Sequence, residues 1–107
     1  MQLSNIFIHH VFFWLRNPES AADKADLVAG LRKLSAVTTI KHFHIGEPAE
    51  TFRGVVERGY SVSWMIIFEN AADQESYQSD PIHLQFVEQC AHLWHTVKVH
   101  DSIDVRG

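Results

Sequence analysis

The chain has 107 residues, 46% of them apolar, with 13 acidic against 9 basic side chains and a formal net charge of −4. That length fits one domain over residues 1–107, able to bury roughly two-thirds of the surface its unfolded chain exposes. The lack of a basic stripe argues against nucleic acid as a partner. The single Cys90 excludes an internal disulfide and suits a reducing, cytoplasmic compartment.

Residues 5–16 (NIFIHHVFFWLR) are β-branched and aromatic with no Gly or Pro, and they read as a strand. The apolar run is too short to span a bilayer, so no membrane partner is expected. Asn17-Pro18-Glu19-Ser20 breaks the strand, and Ser20 is an N-cap with Asp23 three residues on. Leu27, Leu31 and Leu34 then repeat at i, i+4 and i+7, which predicts a helix over 21–36. Gly30 costs that helix about 1 kcal/mol against Ala and suggests close packing on the sheet.

Residues 39–46 (TIKHFHIG) read as a second strand, and the polar stretch 47–59 as a long connection. Its charges, Glu47, Glu50, Arg53, Glu57 and Arg58, fit a solvated loop or a lid over a pocket mouth. Residues 60–69 (YSVSWMIIFE) form a third strand, and 71–79 a short helix. Asp80 is the cap and Pro81 the first residue of another helix, predicted to run to about His95 with Leu84, Val87, Ala91 and Trp94 on one side. Residues 96–105 alternate as a last strand. The order β-α-β-β-α-β, with its second helix in two pieces, is an α+β, ferredoxin-like arrangement with a four-stranded antiparallel sheet.

The first strand is apolar on both faces. Ile6, Ile8, Phe12 and Trp14 accompany His10; Phe7, Val11, Phe13 and Leu15 accompany His9. Helices can cover only one side. The other would expose a large apolar patch, and the simplest remedy is a homodimer joined through the helix-free sheet face. The third strand is less two-sided: Tyr60, Val62, Trp64, Ile66 and Phe68 line one face, while Ser61, Ser63 and Glu69 dilute the other.

His10-Val11-Phe12-Phe13, Gly46, Gly59-Tyr60, Phe68, the run Tyr77-x-x-x-Pro81-x-His83 and Asp101 form one ordered set. Together they resemble the stress-responsive A/B barrel (Dabb) family, over about His9 to Asp104. The resemblance implies a dimeric α+β barrel of ferredoxin-like subunits. Most of that family has no assigned reaction. One plant branch closes polyketide chains by aldol condensation with a Tyr and a His, which fall on Tyr77 and His83. Two departures weigh against a polyketide substrate here: Val62 stands where that branch has a pocket histidine, and Trp14 and Trp64 are large enough to shrink or fill the interior.

His83 falls in the first turn of a helix, where the partial positive charge disfavours imidazolium. A neutral imidazole accepts a proton. A phenol at Tyr77 can hydrogen-bond a substrate carbonyl as enolate charge develops. No metal or cofactor is required by that chemistry. The bland alternative is a rim tyrosine and a packed histidine. The expected pocket walls are His10, Phe12, Trp14, Val62, Trp64, Phe86 and Trp94. His42 with His44, and His92 with His95, are the two histidine pairs with ligand-like spacing, though no Cys pair or HExxH accompanies them. Cys90 lacks an activating partner and is no candidate nucleophile.

Three functions therefore compete. The first is a small-molecule-binding dimer without an assigned reaction. The second is a cofactor-independent cyclase or lyase using Tyr77 and His83, and the third a structural protein whose interior its own tryptophans fill. A dimeric α+β barrel monooxygenase ranks lower, since the Tyr-x3-Pro-x-His run favours the A/B barrel reading.

Overall fold

The strand nearest the N-terminus becomes a central strand. In the computed structural model, which describes residues 1–107, β1 (Phe7–Leu15) pairs antiparallel with both β3 (Val62–Phe68) and β4 (Trp94–Ile103). With β2 (His42–Gly46) at the far edge, the sheet order is β2-β3-β1-β4. The register sets Val11 opposite Trp64 and Val99, and His9 opposite Ile66 and Asp101. Odd-numbered β1 residues therefore share a face with Val62, Trp64, Ile66 and Phe68.

That shared face lies under the helices. Val11, Phe13 and Leu15 join Trp64, Ile66 and Phe68 in one core with Leu27, Leu31, Tyr77 and Phe86. α1 (Ala21–Leu34) starts where the Ser20 hydroxyl accepts the Asp23 amide N–H at 3.1 Å, a cap worth about 1 kcal/mol. α2 (Ala71–Ser79) is capped the same way by Asn70, whose side chain accepts the Asp73 N–H at 2.8 Å. α3 (Pro81–Cys90) follows with Pro81 in its first turn and Asp80 accepting the Ile82 N–H at 2.8 Å. The chain thus stops, turns on Asp80 and restarts, as the Asp-Pro pair implies.

Several boundaries differ from the sequence reading. α1 ends at Leu34, β2 starts only at His42, and β3 is trimmed to Val62–Phe68. α3 stops at Cys90, where a short 3₁₀ turn (Ala91–Leu93) hands the chain to β4. Trp94 is therefore a strand residue, and His92 and His95 are not neighbours on one helix. The buried side of α3 is Phe86 and Cys90, with Ile82 half-buried; Leu84 and Val87 are exposed. Spacing alone allowed either stripe, and packing against α1 selects this one. Gly30 makes that contact: a Cβ there would lie 2.5 Å from the Cys90 Sγ. The glycine serves helix-on-helix packing, not the sheet.

Candidate functional site

The turn at Asp80 brings Tyr77, from the last turn of α2, and His83, from the first of α3, to one place. Their ring centroids are 4.7 Å apart, edge to face. Both sit above the helix-side face of the sheet, where His9 rises from β1 with its ring 5.7 Å from that of Tyr77. These three rings line a cavity of about 150 Å³ whose other walls include Val11, Phe13, Trp64, Phe86 and Trp94. Val97 and Val99 of the uncovered edge strand β4, with Val87 of α3, form its rim. A cavity of roughly this volume holds one benzene ring, and it is smaller than a typical drug-sized pocket.

Each polar group in it has a defined environment. Tyr77 is almost fully buried, and its oxygen accepts the Trp64 indole N–H at 3.1 Å. Burial pushes the phenol pKa up to about 12, against the opposing pull of that hydrogen bond. Tyr77 is thus a neutral donor whose lone pair is engaged and whose own proton remains to give. His83 is held below the ordinary imidazole range, first by burial and then by His9; the Gln78 backbone and the Asp80 carboxylate pull the other way. Its Nδ1 is buried without a hydrogen-bond partner, which is unusual for a buried polar atom. The neutral ring is a base.

His9 was not singled out for this site from the sequence. Its Nδ1 lies 2.6 Å from Oδ1 of Asp101, directly across on β4. Facing a carboxylate, Nδ1 is the protonated nitrogen and donates. The signal was present: Asp101 is an isolated acid alternating with Val97, Val99 and Ile103, opposite an isolated histidine on the matching face of β1.

Of the walls expected from sequence, Trp64, Phe86 and Trp94 line this cavity. His10, Phe12 and Trp14 do not. Even-numbered β1 residues point to the helix-free side, because the register pairs the odd ones with Trp64 and Ile66. Phe12 and Trp14 instead border a hollow of about 370 Å³ on that open side, with Glu57, Tyr60, Lys98 and His100. The Lys98 ammonium sits 5.1 Å above the Trp14 ring. Val62 is fully buried in the core and does not border the helix-side cavity. Trp64 occupies part of the interior; Trp14 cannot, since it is on the other side of the sheet. No residue of the 47–59 connection lines the helix-side cavity, so that loop is not its lid. No group of three or more His, Cys, Asp or Glu side chains comes together in a form that would hold a metal ion. No helix is long and apolar enough to cross a membrane. Cys90 is buried, and burial pushes its thiol pKa up, away from nucleophilic chemistry.

The description "Stress responsive A/B Barrel Domain" (Dabb) matches residues 7–104. No curated protein matches. Among solved structures, a Dabb family protein from Mesorhizobium loti with a ferredoxin-like fold is 20% identical, at a TM-score of 0.77 over 94% of this chain and 98% of its own. A hydroxynitrile lyase from Passiflora edulis is 18% identical, at 0.77 over 98% of each chain. A dimeric protein of unknown function from Bacteroides fragilis, also ferredoxin-like, is 15% identical, at 0.72 over 96% of this chain and all of its own. Identities this low establish a common fold.

Proposed function

The chain belongs to the stress responsive A/B barrel domain family, and on that premise we propose that it is a homodimer holding one small, largely apolar molecule beside Tyr77 and His83. The observation that carries this reading is the meeting of two neutral polar rings, 4.7 Å apart, inside an apolar recess of about 150 Å³. The recess accepts something the size of a single ring. The Tyr77 hydroxyl donates to its one polar atom, such as a carbonyl oxygen. A polyketide chain is too large for it. The space left beside Trp64 also argues against a wholly tryptophan-filled, structural interior.

The second copy belongs on the helix-free face. Ile6, Ile8, Phe12, Trp14 and Met65 are all only half-buried there in one chain, and a partner sheet removes that surface from water. Size-exclusion at low micromolar concentration is expected to give twice the 12.3 kDa of one chain.

A second reading, catalysis, is favoured by the neutral His83 imidazole and the Tyr77 donor lining one cavity. A neutral imidazole takes a proton from the carbon beside a carbonyl, the C–H electron pair moves into the carbonyl as an enolate, and the Tyr77 proton stabilises the oxygen. An aldol-type cyclisation, or a lyase acting beside a carbonyl, uses such a step.

Benzaldehyde and benzene test the binding reading. Both are expected to perturb the His83 and Trp64 resonances of the wild type, with the benzaldehyde effect alone reduced in Tyr77→Phe. Absence of any perturbation by either probe ends the ligand reading. For the catalytic one, cyclopentanone in D₂O is expected to exchange its α-protons faster than buffer with wild type and at the buffer rate with His83→Ala. Equal exchange by both proteins removes His83 from the step.

A further inference from the structure

The helix-free face carries histidines where an interface calls for apolar residues. One cross-strand row runs His44 on β2, Met65 on β3, His10 on β1 and His100 on β4. Adjacent strands lie about 4.8 Å apart, so His10 and His100 are immediate neighbours and His44 is two strands away. The Phe12 ring is 4.3 Å from that of His10 and 5.8 Å from that of His100. His42 follows on the same face of β2. We propose that this row is an acid-sensitive seam: two copies join at the helix-free face while His10, His44 and His100 are neutral, and separate when protonation charges them. The inference rests on the homodimer proposed above and adds its control.

The charges facing the row favour this sign. Lys98 of β4 stands beside it and is already positive. Glu57, from the 47–59 connection, borders the hollow shared by Lys98, His100 and Tyr60. Glu69 lies just past the end of β3, exposed and at the far end of the sheet from Glu57. Asp101 points to the other face, toward His9. Even in a single chain His10 is held below the ordinary imidazole range, first by burial and then by His100, His44 and His9. A second copy brings the same three imidazoles and the same lysine onto this surface, adding desolvation and like charge together.

The linkage follows. Imidazoles with a lower pKa in the dimer than in the free chain bind fewer protons there. Their support for the dimer is complete above the free-chain pKa, which for His10 already lies below the ordinary imidazole range, and is lost as pH falls through it. Each imidazole that must stay neutral weakens association about tenfold per pH unit below that point. With one such imidazole on each copy, the dimer Kd is expected to rise about 100-fold for each pH unit below that value.

Sedimentation velocity at pH 8 and 5.5, at fixed ionic strength and with circular dichroism to confirm folding, tests this on the wild type and on the triple variant His10→Gln, His44→Gln, His100→Gln. Dissociation of a folded wild type at pH 5.5, with the triple variant dimeric at both values, is the expected result. A wild type that is dimeric at both pH values overturns the seam and leaves the dimer standing. A monomer already at pH 8 overturns the dimer and the seam together. A triple variant that dissociates as the wild type does places the sensitive group elsewhere and overturns the seam. If the triple variant does not fold, His100→Gln alone, at an exposed edge-strand position, is expected to make the pH dependence shallower; an unchanged slope overturns the proposal.

Discussion

Trp64 donates its indole N–H to the Tyr77 oxygen over 3.1 Å in an almost fully buried contact. This one bond ties the centre of the sheet to the turn that presents His83. It also decides what Tyr77 can do, because an engaged lone pair leaves the phenol as a donor.

Replacing Tyr77 by Phe keeps the ring and removes the acceptor. The indole N–H is then buried without a partner, which costs about 1–3 kcal/mol. The loss is expected as a lower urea midpoint at an unchanged slope. A variant as stable as wild type would mean that the bond contributes nothing net.

The same phenol has an alkaline signature. Its folded pKa is raised to about 12 from an ordinary 10.0, so the folded state holds the proton longer than the unfolded state. The stability this gives is complete below pH 10 and disappears as pH climbs from 10 through 12. Ultraviolet difference titration should therefore show one tyrosinate, that of Tyr77, appearing only near pH 12 or with unfolding. The late component should vanish in Tyr77→Phe. Full titration of both tyrosines at ordinary pH in the folded protein contradicts it.

His83 works in the acid direction. Its folded pKa lies below the ordinary 6.5 because burial penalises the charged ring, so the unfolded chain binds the proton more readily. Its share of stability is present above pH 6.5 and lost as pH falls below that value. Wild type is expected to lose more stability than His83→Gln between pH 6.5 and 5, and the His83 resonances to titrate below 6.5. A midpoint at or above 6.5 would show that the imidazole is better solvated than its setting implies.

Much of this arrangement was legible in the chain. The two-faced β1, the Ser20 and Asp80 caps and the Tyr77–Pro81–His83 spacing are local patterns, and local patterns survive folding. Which face of β1 goes under the helices is not local. His9 and His10 are adjacent and equally histidine, and only the pairing of Val11 with Trp64 sends one into the cavity and the other to the open side. A register shift of one residue would exchange them. The α3 stripe fails for the same reason: Leu84 and Phe86 are both apolar, and the notch at Gly30 on α1 selects the side carrying Phe86 and Cys90.

The pair His9–Asp101, 2.6 Å apart across β1 and β4, separates hydrogen bonding from charge. His9 is 5% exposed, while the Asp101 side chain is 43% exposed, so solvent screens much of the ionic part. Asp101→Ala leaves a buried N–H bare and is expected to cost about 1–3 kcal/mol. Asp101→Asn, whose amide oxygen still accepts, should recover most of it in the same chemical unfolding series. Equal losses in both variants would assign the stability to charge instead.

Gly30 gives the last test, and its outcome is a difference between opposing effects. Alanine in a helix interior is favoured over glycine by about 1 kcal/mol. At this position its Cβ would meet the Cys90 Sγ at 2.5 Å, with Phe86 carbons at 3.4 Å behind it. Cys90 is buried and short, so it cannot swing clear as a lysine tip would, and overpacking of this kind costs about 1–3 kcal/mol. The clash outweighs the propensity, and Gly30→Ala is expected to destabilise. Shortening the partner removes the obstacle: in Gly30→Ala/Cys90→Ala the new methyl occupies the space the sulfur leaves. The double variant should then be more stable than the sum of the two single changes predicts, with a coupling of about 1 kcal/mol or more in a double-mutant cycle. Strict additivity would mean that α1 and α3 separate to admit the methyl, and that their spacing is not set by this notch.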